Sequence, residues 1–276
     1  MGLTIIQGYM STFYLNIIGF SIKVIMIKPK FTVFLRDKLQ REIMMLFRDF
    51  VSLEKPKRID FTIEFRESNI MGVIPGIQSK FHFINLYEQK SQSRLRTYYS
   101  ISTSQFHYII TEILSLLIKD TGFFQHASSI VHKGKAYLFL GKSGAGKTTI
   151  STLLRKKFHR FADDLVLVRK IGKTYRCFQN PLWERNWWLS KHTESYELGK
   201  VFFLRKSKQC SISGLENNKQ VLALLLGDFT YDGVQVKDKM EIFMKFVAEF
   251  KHFYYLDFPK DEKKVVSFFE NERILD

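Results

Sequence analysis

The sequence predicts an α/β protein in which a mixed sheet carries a glycine-rich loop and a smaller β-rich lobe precedes that sheet. Two observations predict this fold class. Segments of strand-like alternation dominate residues 12–100, and after Gly122 short apolar segments alternate with helical ones. We therefore expect two domains, a β-rich N-terminal lobe over residues 1–104 and a larger domain over residues 105–276.

The opening of the chain is apolar, but it does not have the pattern of a membrane span. Phe13 to Met26 is rich in β-branched and aromatic residues and is predicted to form a strand pair with a turn near Gly19. The run is interrupted by polar residues, and it lacks the basic flank and small-residue cleavage site of a signal peptide. We expect no membrane span.

In the rest of the lobe, residues 61–66 alternate between apolar and polar side chains, which is the period of a half-buried strand. Leu39, Ile43, Leu46, Phe47 and Phe50 recur at helical spacing. The other elements predicted in the lobe are a helix over 36–50, a turn over 71–76 and strands over 80–87 and 94–101.

The second domain opens with a helix over residues 105–119, where apolar residues recur every three or four positions, Ser104 can cap the start and Gly122 follows the end. The remaining predicted elements are strands over 123–131 and 136–140, a helix over 147–158, a strand over 160–162, a hairpin over 165–170 and 174–178, a strand over 200–204, helices over 218–226 and 238–251, a strand over 252–258 and a helix over 261–271.

The composition is that of a folded, basic protein. Of the 276 residues, 45% are hydrophobic, and 43 Lys and Arg against 27 Asp and Glu give a formal net charge of +16. This balance favours anionic partners, namely nucleotides, nucleic acid, acidic peptides or a membrane surface, and does not choose among them. Cys177 and Cys210 are too few for a zinc cluster or a disulfide framework, so we expect unreactive thiols and a reducing, cytoplasmic setting.

One segment fits the phosphate-loop, or Walker A, pattern at every fixed position. It consists of Gly141, Lys142, Ser143, Gly144, Ala145, Gly146, Lys147 and Thr148. Glycines let the backbone curl so that N–H groups point at phosphate oxygens, and the helix that follows directs its positive end at the same anion. Lys147 would then reach the β- and γ-phosphates of a nucleoside triphosphate, and Thr148 would offer its hydroxyl to Mg²⁺.

An acidic pair, Asp163-Asp164, follows the predicted strand over 160–162. In phosphate-loop proteins a carboxylate after such a strand holds magnesium. Two adjacent carboxylates allow one to bind the metal while the other accepts the proton of an attacking hydroxyl. His126, on the strand before the loop strand, is by its spacing alone a structural histidine.

Three tryptophans, Trp183, Trp187 and Trp188, follow Pro181 and flank Arg185. Aromatic rings beside an arginine could hold a nucleotide base or a peptide side chain. Core packing and an oligomer contact explain them equally well, so their role stays open.

Taken together, these motifs resemble the HPr kinase/phosphorylase family, and more closely its shorter relatives in bacterial peptide-modification gene clusters. The resemblance rests on His126-Ala127-Ser128, Gly134-Lys135-Ala136, the loop from Gly141 to Thr149, Ala162-Asp163-Asp164 and Asn180-Pro181. The loop and the acidic pair are also similar to phosphoenolpyruvate carboxykinase, which shares that nucleotide core. The resemblance therefore implies a phosphate-loop core of the HPr kinase/phosphoenolpyruvate carboxykinase type.

The resemblance also implies roles for individual residues. Asp163 would be the general base, Asp164 would help to hold magnesium, and His126 would lie near the γ-phosphate or the metal. Lys147 would be catalytic, and Gly141 to Thr149 would bind ATP. The Glu-x-Arg-Gly stretch of true HPr kinases is absent from this sequence, which leaves the phosphate acceptor open.

The first functional hypothesis is an ATP- and Mg²⁺-dependent, HPr-kinase-like phosphotransferase that acts on a serine or threonine hydroxyl of a small protein or peptide. The alternative is a nucleotide-binding regulatory or assembly module of a peptide-modification pathway that transfers no phosphate. We expect no nucleic-acid partner, because the sequence has no zinc motif or helix-turn-helix signature. Whether the chain forms a homo-oligomer stays open.

Overall fold

The computed structural model describes residues 11–67, 86–181, 191–227, 236–271 and 274–275, and within them it is a mixed α/β protein with two mixed sheets. The predicted fold class is confirmed at this level.

The chain divides into two compact units, Met1–Leu117 and Ile118–Asp276. The division expected from the sequence, into residues 1–104 and 105–276, stays a prediction. The turn expected over 71–76, most of the strand expected over 80–87 and the three tryptophans lie outside the described residues.

In the first unit, the described strands form one sheet in the order β3-β1-β2-β4-β6-β5. The elements are β1 (Thr12–Ile17), β2 (Phe20–Met26), α1 (Val33–Leu46), β3 (Val51–Ser52), β4 (Phe61–Arg66), β5 (Tyr87–Ser91), β6 (Arg94–Tyr98) and α2 (Thr103–Ile118). The expected strand pair at the start is confirmed as the hairpin β1–β2. Its two turn residues, Ile18 and Gly19, have φ of 60° and 74°, the conformation that a tight hairpin turn requires.

The helices of the first unit pack on the apolar face of its sheet through aromatic side chains. The ring of Phe106 on α2 lies 5.7 Å from that of Phe65 on β4 and 5.6 Å from that of Phe47, which follows α1. All three side chains are fully buried. Burial of such rings contributes about 1.5–3 kcal/mol each, so these contacts stabilise the packing of the helices on the sheet.

The opposite face of this sheet carries a buried carboxylate surrounded by arginines. Glu64 on β4 is 3% exposed and accepts hydrogen bonds from Arg66, Arg94 and Arg96, the last at 3.1 Å. Burial raises the pKa of the Glu64 carboxyl, but the hydrogen bonds from Arg94, Arg66 and Arg96 outweigh it and hold that pKa below its ordinary value. The ionised form therefore stabilises the fold.

Replacing this carboxylate should produce a pH-dependent loss of stability. We expect Glu64→Gln to lower the free energy of unfolding at neutral pH by on the order of 1–3 kcal/mol, because three guanidinium groups lose a charged partner. A depressed native pKa contributes stability that is present above the ordinary value of 4.5 and is lost as pH falls below it. Urea unfolding at neutral pH and near pH 3 should thus show a wild-type advantage that shrinks on acidification. Glu54→Gln, at an exposed carboxylate of the same unit, is the control, and a wild-type advantage that is independent of pH would contradict the explanation.

In the second unit, the described strands form one nine-stranded sheet, in the order β10-β8-β9-β13-β12-β11-β7 with β15 and β14 joined beside β13. Its elements are β7 (Gly122–His126), β8 (Ser128–His132), β9 (Lys135–Leu140), α3 (Lys147–Leu154), β10 (His159–Ala162), β11 (Leu165–Ile171), β12 (Thr174–Gln179), β13 (Ser195–Lys206), β14 (Ser211–Gly214), α4 (Asn218–Gly227), α5 (Val236–Glu249), β15 (Phe253–Phe258) and α6 (Glu262–Asn271). β13 runs parallel to β9 and β15, and the other pairs are antiparallel.

The strand β9 lies at the centre of this unit, between β8 and β13, and both of its faces are covered. Leu138 belongs to an apolar cluster with Phe243 of α5, whereas Phe139 belongs to a second cluster with Ile150 of α3 and Phe269 of α6. Burial on both faces explains why Ala136 to Leu140 reads as an uninterrupted apolar run. It also fixes the loop that follows β9 at the end of a rigid strand.

In the first unit, α1 spans Val33–Leu46 rather than residues 36–50, and β3 and most of β5 were not predicted. In the second unit, the predicted elements differ clearly from the structure in four places. The strand expected over 123–131 is two strands, because the chain stops pairing with β11 at His126 and pairs with β9 and β10 from Ser128 onward. The helix α3 ends at Leu154 rather than at residue 158, and β13 is longer than expected. The strand β14 was missed because only one of its four residues, Ile212, has a strand-forming side chain. Within the described residues, no helix is long and apolar enough to cross a membrane.

Candidate functional site

The glycine-rich segment forms the connection between β9 and α3, as the sequence predicts. The loop is closed by a hydrogen bond from the Ala145 N–H to the Lys142 carbonyl, at 2.9 Å. Lys142, Ser143 and Gly144 are exposed. Residue Gly146 precedes the helix with φ of 106°, and no side chain caps the α3 N-terminus. The first N–H groups of α3 are therefore available to an anion, and the helix dipole favours one.

Lys147, the first residue of α3, is folded back across this loop. Its side chain is largely buried, and its ammonium donates to the carbonyl of Gly141 at the start of the loop. Its own carbonyl accepts a hydrogen bond from the Ser128 hydroxyl on β8 at 2.5 Å. The hydrogen bond from β8 thus fixes the start of α3. Lys147 is the buried cation of the loop, whereas Lys142 is exposed, and the Lys147 ammonium is directed toward the start of the loop.

The two adjacent aspartates lie in contrasting environments. Asp163 is 5% exposed, and its carboxylate accepts from Arg160 Nη2 at 2.6 Å, Ser151 Oγ at 3.2 Å and Thr148 Oγ1 at 3.4 Å. The Arg160 side chain is buried as well. Because Thr148 and Ser151 are three residues apart on α3, one face of the helix presents both hydroxyls to this carboxylate.

Asp164 instead faces solvent and pairs with a histidine. Its Oδ1 lies 2.6 Å from His126 Nε2, and its side chain is 52% exposed against 35% for the imidazole. The contact is built by sheet pairing, since His126 lies opposite Leu165 where β7 pairs with β11, and the Ala127 N–H donates to the Asp164 carbonyl at 3.1 Å. The exposed carboxylate is therefore fixed in place yet open to a reactant.

The structure thus brings together residues that the sequence singled out separately. The Thr148 hydroxyl donates to the Asp163 carboxylate, and the His126 imidazole forms a hydrogen bond with the Asp164 carboxylate. Thr149 is half-buried on α3, one residue after Thr148. Sequence patterns assigned no role to Ser128, Ser151 or Arg160. A hydroxyl three residues after Thr148 was the available signal for Ser151, and an arginine three residues before Asp163 was the signal for Arg160.

The oxygen donors around Asp163 fit a magnesium ion that is shared with a nucleotide. Among the described residues, no group of three or more His, Cys, Asp or Glu side chains could hold a metal alone. Magnesium in nucleotide sites is typically held by one or two protein oxygens together with substrate phosphates. Thr148 and Asp163, adjacent to the helix N-terminus, supply such a pair of oxygens.

Comparison with known proteins identifies the family. The sequence matches the family described as SynChlorMet cassette protein ScmC over residues 97–242, which is more than half of the chain. The chain belongs to the ScmC family. The match includes the glycine-rich loop, both aspartates and His126.

Other comparisons add little to the ScmC assignment. No curated protein matches the chain. Among solved structures, it is similar to the HPr(Ser) kinase/phosphatase from Coxiella burnetii, with 12% identity over 55% of this chain and 97% of that one and a TM-score of 0.33. At that TM-score the likeness carries no argument about fold or function, so the resemblance to HPr kinases stays a prediction.

The cysteines of this ScmC-family chain take no part in the site. Cys177 is buried, and burial raises the pKa of its thiol well above the ordinary value. Cys210 is half-buried, and burial raises the pKa of its thiol too. Both thiols are thus protonated at neutral pH, as expected of unreactive cysteines.

Substitution of Gly146 should distort the loop of this ScmC-family chain. A Cβ at this position would lie 2.8 Å from Cζ of Phe258, a buried ring at the end of β15, in addition to the strained φ of 106°. We expect Gly146→Ala to lower the free energy of unfolding by about 2 kcal/mol or more. Urea unfolding would measure it.

The control for Gly146 is Gly144→Ala, in the same loop. Gly144 also has a positive φ, of 80°, but no atom lies within 4 Å of its added Cβ. The control shares the backbone strain and lacks the clash, so we expect it to be clearly the milder change. Equal losses in the two variants would show that contact with Phe258 is not what excludes a side chain at residue 146.

Proposed function

We propose that this chain is an ATP- and Mg²⁺-dependent kinase that transfers the γ-phosphate to a serine or threonine hydroxyl of a small protein or peptide. One observation carries the proposal. Beside an uncapped helix N-terminus, adjacent aspartates occupy two different environments, one buried against Thr148 and the other exposed against His126.

The loop and the start of α3 would bind the triphosphate. The exposed loop of residues 142–144 and the uncapped N–H groups of α3 offer donors to phosphate oxygens. The Lys147 ammonium, bonded to the Gly141 carbonyl, would exchange that neutral acceptor for the more strongly attracting β- and γ-phosphate oxygens. Gly141 to Thr149 is accordingly the proposed nucleotide-binding segment.

Thr148 and Asp163 would hold the magnesium ion. When bound, magnesium neutralises charge on the β- and γ-phosphates during transfer. Arg160 and Ser151 hold one carboxylate oxygen of Asp163, and the other oxygen faces Thr148. Asp163 is also too buried to meet the hydroxyl of a protein acceptor. The geometry therefore favours Asp163 as the metal-side carboxylate.

Asp164 would then be the general base, the reverse of the division that the resemblance implies. It is exposed, and its contact with His126 orients it. In the transfer step, Asp164 takes the proton of the acceptor hydroxyl and the freed oxygen bonds to the γ-phosphorus. The bond from that phosphorus to the β–γ bridging oxygen breaks, and its electron pair leaves with ADP. Such a base contributes about 100-fold to 10,000-fold to rate.

The exposure of Asp164 and the resemblance to short HPr-kinase-related proteins of peptide-modification clusters support the proposed acceptor class. A carboxylate that is half exposed can meet a hydroxyl on an extended peptide or on a protein loop. The missing Glu-x-Arg-Gly stretch argues against HPr itself. The same absence favours the second candidate, a nucleotide-binding module that transfers no phosphate.

The test is label transfer from γ-labelled ATP with Mg²⁺ to peptides that contain serine or threonine. We expect label on a peptide hydroxyl, stable to mild acid as phosphoserine and phosphothreonine are. The matched control peptides carry alanine at the acceptor position. Tight ATP binding without transfer to any member of a broad peptide library would favour the module, and absence of ATP binding would contradict both candidates.

A further inference from the structure

An exposed apolar tip joins β2 to α1 in the first unit. We define the tip as residues 27–35, Ile-Lys-Pro-Lys-Phe-Thr-Val-Phe-Leu. Phe31 is 88% exposed, Phe34 is 71% exposed and Val33 is 40% exposed. Single exposed apolar residues are ordinary, but two nearby phenylalanines that are both mostly exposed to solvent indicate an interaction surface.

The tip is held in place by the protein rather than being a loose connection. Both oxygens of the Glu67 carboxylate accept from backbone N–H groups, those of Lys30 at 3.0 Å, Phe31 at 2.8 Å and Thr32 at 2.6 Å. At its start, the Ile27 N–H donates to the Phe65 carbonyl at 3.2 Å. The backbone N–H groups of four residues are thereby held, and this fixed backbone presents the Phe31 ring to solvent.

Basic side chains surround these rings. Lys28 and Lys30 are exposed within the tip, and neither forms an ion pair with a described residue. The outer face of α1 continues the pattern. Phe34, Lys38, Arg41 and Met45 are spaced to share that face, all are exposed, and Met45 is 70% exposed. The inner face buries Leu39 and Ile43.

The acidic groups nearby do not cancel this charge. Residues 27–45 together with Glu67 carry five basic and three acidic side chains. Asp37 forms an ion pair with Arg36. Glu42 Oε1 lies 4.0 Å from Lys38 Nζ, and the Glu67 carboxylate accepts hydrogen bonds from the backbone of the tip. The outer surface thus combines apolar and cationic side chains, which is the pattern of segments that lie in a membrane interface.

We propose that the tip and the outer face of α1 attach the chain to an anionic lipid surface. Phe31 and Phe34 would enter the boundary between headgroups and acyl chains, while Lys28, Lys30, Lys38 and Arg41 would contact anionic headgroups. The exposure of the Phe31 ring makes the tip a protrusion rather than a groove. A protrusion ringed by cations fits a lipid surface, and the +16 net charge of the chain favours the same surface.

Vesicle co-sedimentation with the full chain tests the proposal. We expect the wild type to sediment with phosphatidylglycerol-rich vesicles and not with phosphatidylcholine vesicles, and the association to weaken as salt rises. Phe31→Ser with Phe34→Ser should reduce it at least about tenfold, since two apolar side chains lose their burial in lipid. Lys28→Glu with Lys30→Glu should also reduce it about tenfold or more.

The control variant is Leu116→Ser, which removes a side chain that is 50% exposed on α2 and lies outside the tip. It should sediment as the wild type does. ATP binding should be unchanged in every one of these variants, because none alters the nucleotide-binding segment. Failure of the wild type to sediment would overturn the proposal. Sedimentation of the double phenylalanine variant equal to that of the wild type would also overturn it. So would a chain that self-associates through the tip but does not bind vesicles.

Discussion

Lys147→Ala is expected to abolish phosphoryl transfer, or to reduce it by about 100-fold to 1,000-fold, while the protein stays folded. The ammonium is the buried cation of the loop and is aligned by its hydrogen bond to the Gly141 carbonyl. Charge placed where negative charge develops stabilises a transition state strongly, because it is already oriented and little solvent screens it. The remaining fold contacts of residue 147, through its backbone carbonyl and Ser128, survive the substitution.

Lys142→Ala is the matched control for this variant. Lys142 lies in the same loop, carries the same charge and is exposed. Screening by solvent makes its contribution small, so we expect transfer within a fewfold of the wild-type rate. Label transfer with equal protein concentrations measures both variants, and circular dichroism checks the fold. Undiminished transfer by Lys147→Ala would remove this lysine from the mechanism.

The second large effect separates the two aspartates. Asp164→Asn should reduce transfer by about 100-fold to 10,000-fold and leave Mg²⁺-dependent ATP binding intact, because it removes a proton acceptor that is exposed and outside the metal pair. Asp163→Asn should instead weaken the dependence of ATP binding on Mg²⁺. It should also lower the free energy of unfolding by about 3 kcal/mol, since it removes the charge of Asp163 from its buried ion pair with Arg160.

These aspartate variants serve as controls for each other, since they are adjacent and the substitution is the same. Calorimetric titration with ATP, with and without Mg²⁺, measures the binding, and urea unfolding measures the stability. His126→Asn should reduce transfer less than Asp164→Asn does, because the imidazole acts through its contact with Asp164. Suppose instead that Asp164→Asn loses Mg²⁺-dependent ATP binding while Asp163→Asn retains it. This result would favour the roles implied by the resemblance, with Asp163 as the general base and Asp164 at the magnesium.

Local patterns predicted much of the fold. The connection of β9 to α3 was evident because glycine spacing, an apolar strand and a helical pattern occur consecutively in the chain. The β1–β2 and β11–β12 hairpins were evident for the same reason, since each joins neighbouring segments through a short turn. Strand boundaries that depend on a change of partner, such as the one at Ala127, carry no local signal.

The site was predictable in its residues and not in their environments. The sequence singled out Asp163 and Asp164 together, yet one is buried by Arg160 and the other is exposed beside His126. That difference arises from pairing of β7 with β11 and of β8 with β10 across intervals of the chain that a sequence pattern does not encode. The same limit applies to the tip. There the exposure of Phe31 depends on the hydrogen bond from its backbone N–H to Glu67, the residue that follows β4.

Calorimetric titration of the purified wild-type chain with ATP, in the presence and absence of Mg²⁺, tests the proposed nucleotide site most directly. We expect saturable binding that tightens when Mg²⁺ is added and that Lys147→Ala weakens. Absence of ATP binding under both conditions, from a chain shown to be folded, would contradict the assignment of the loop between β9 and α3 as a nucleotide-binding segment.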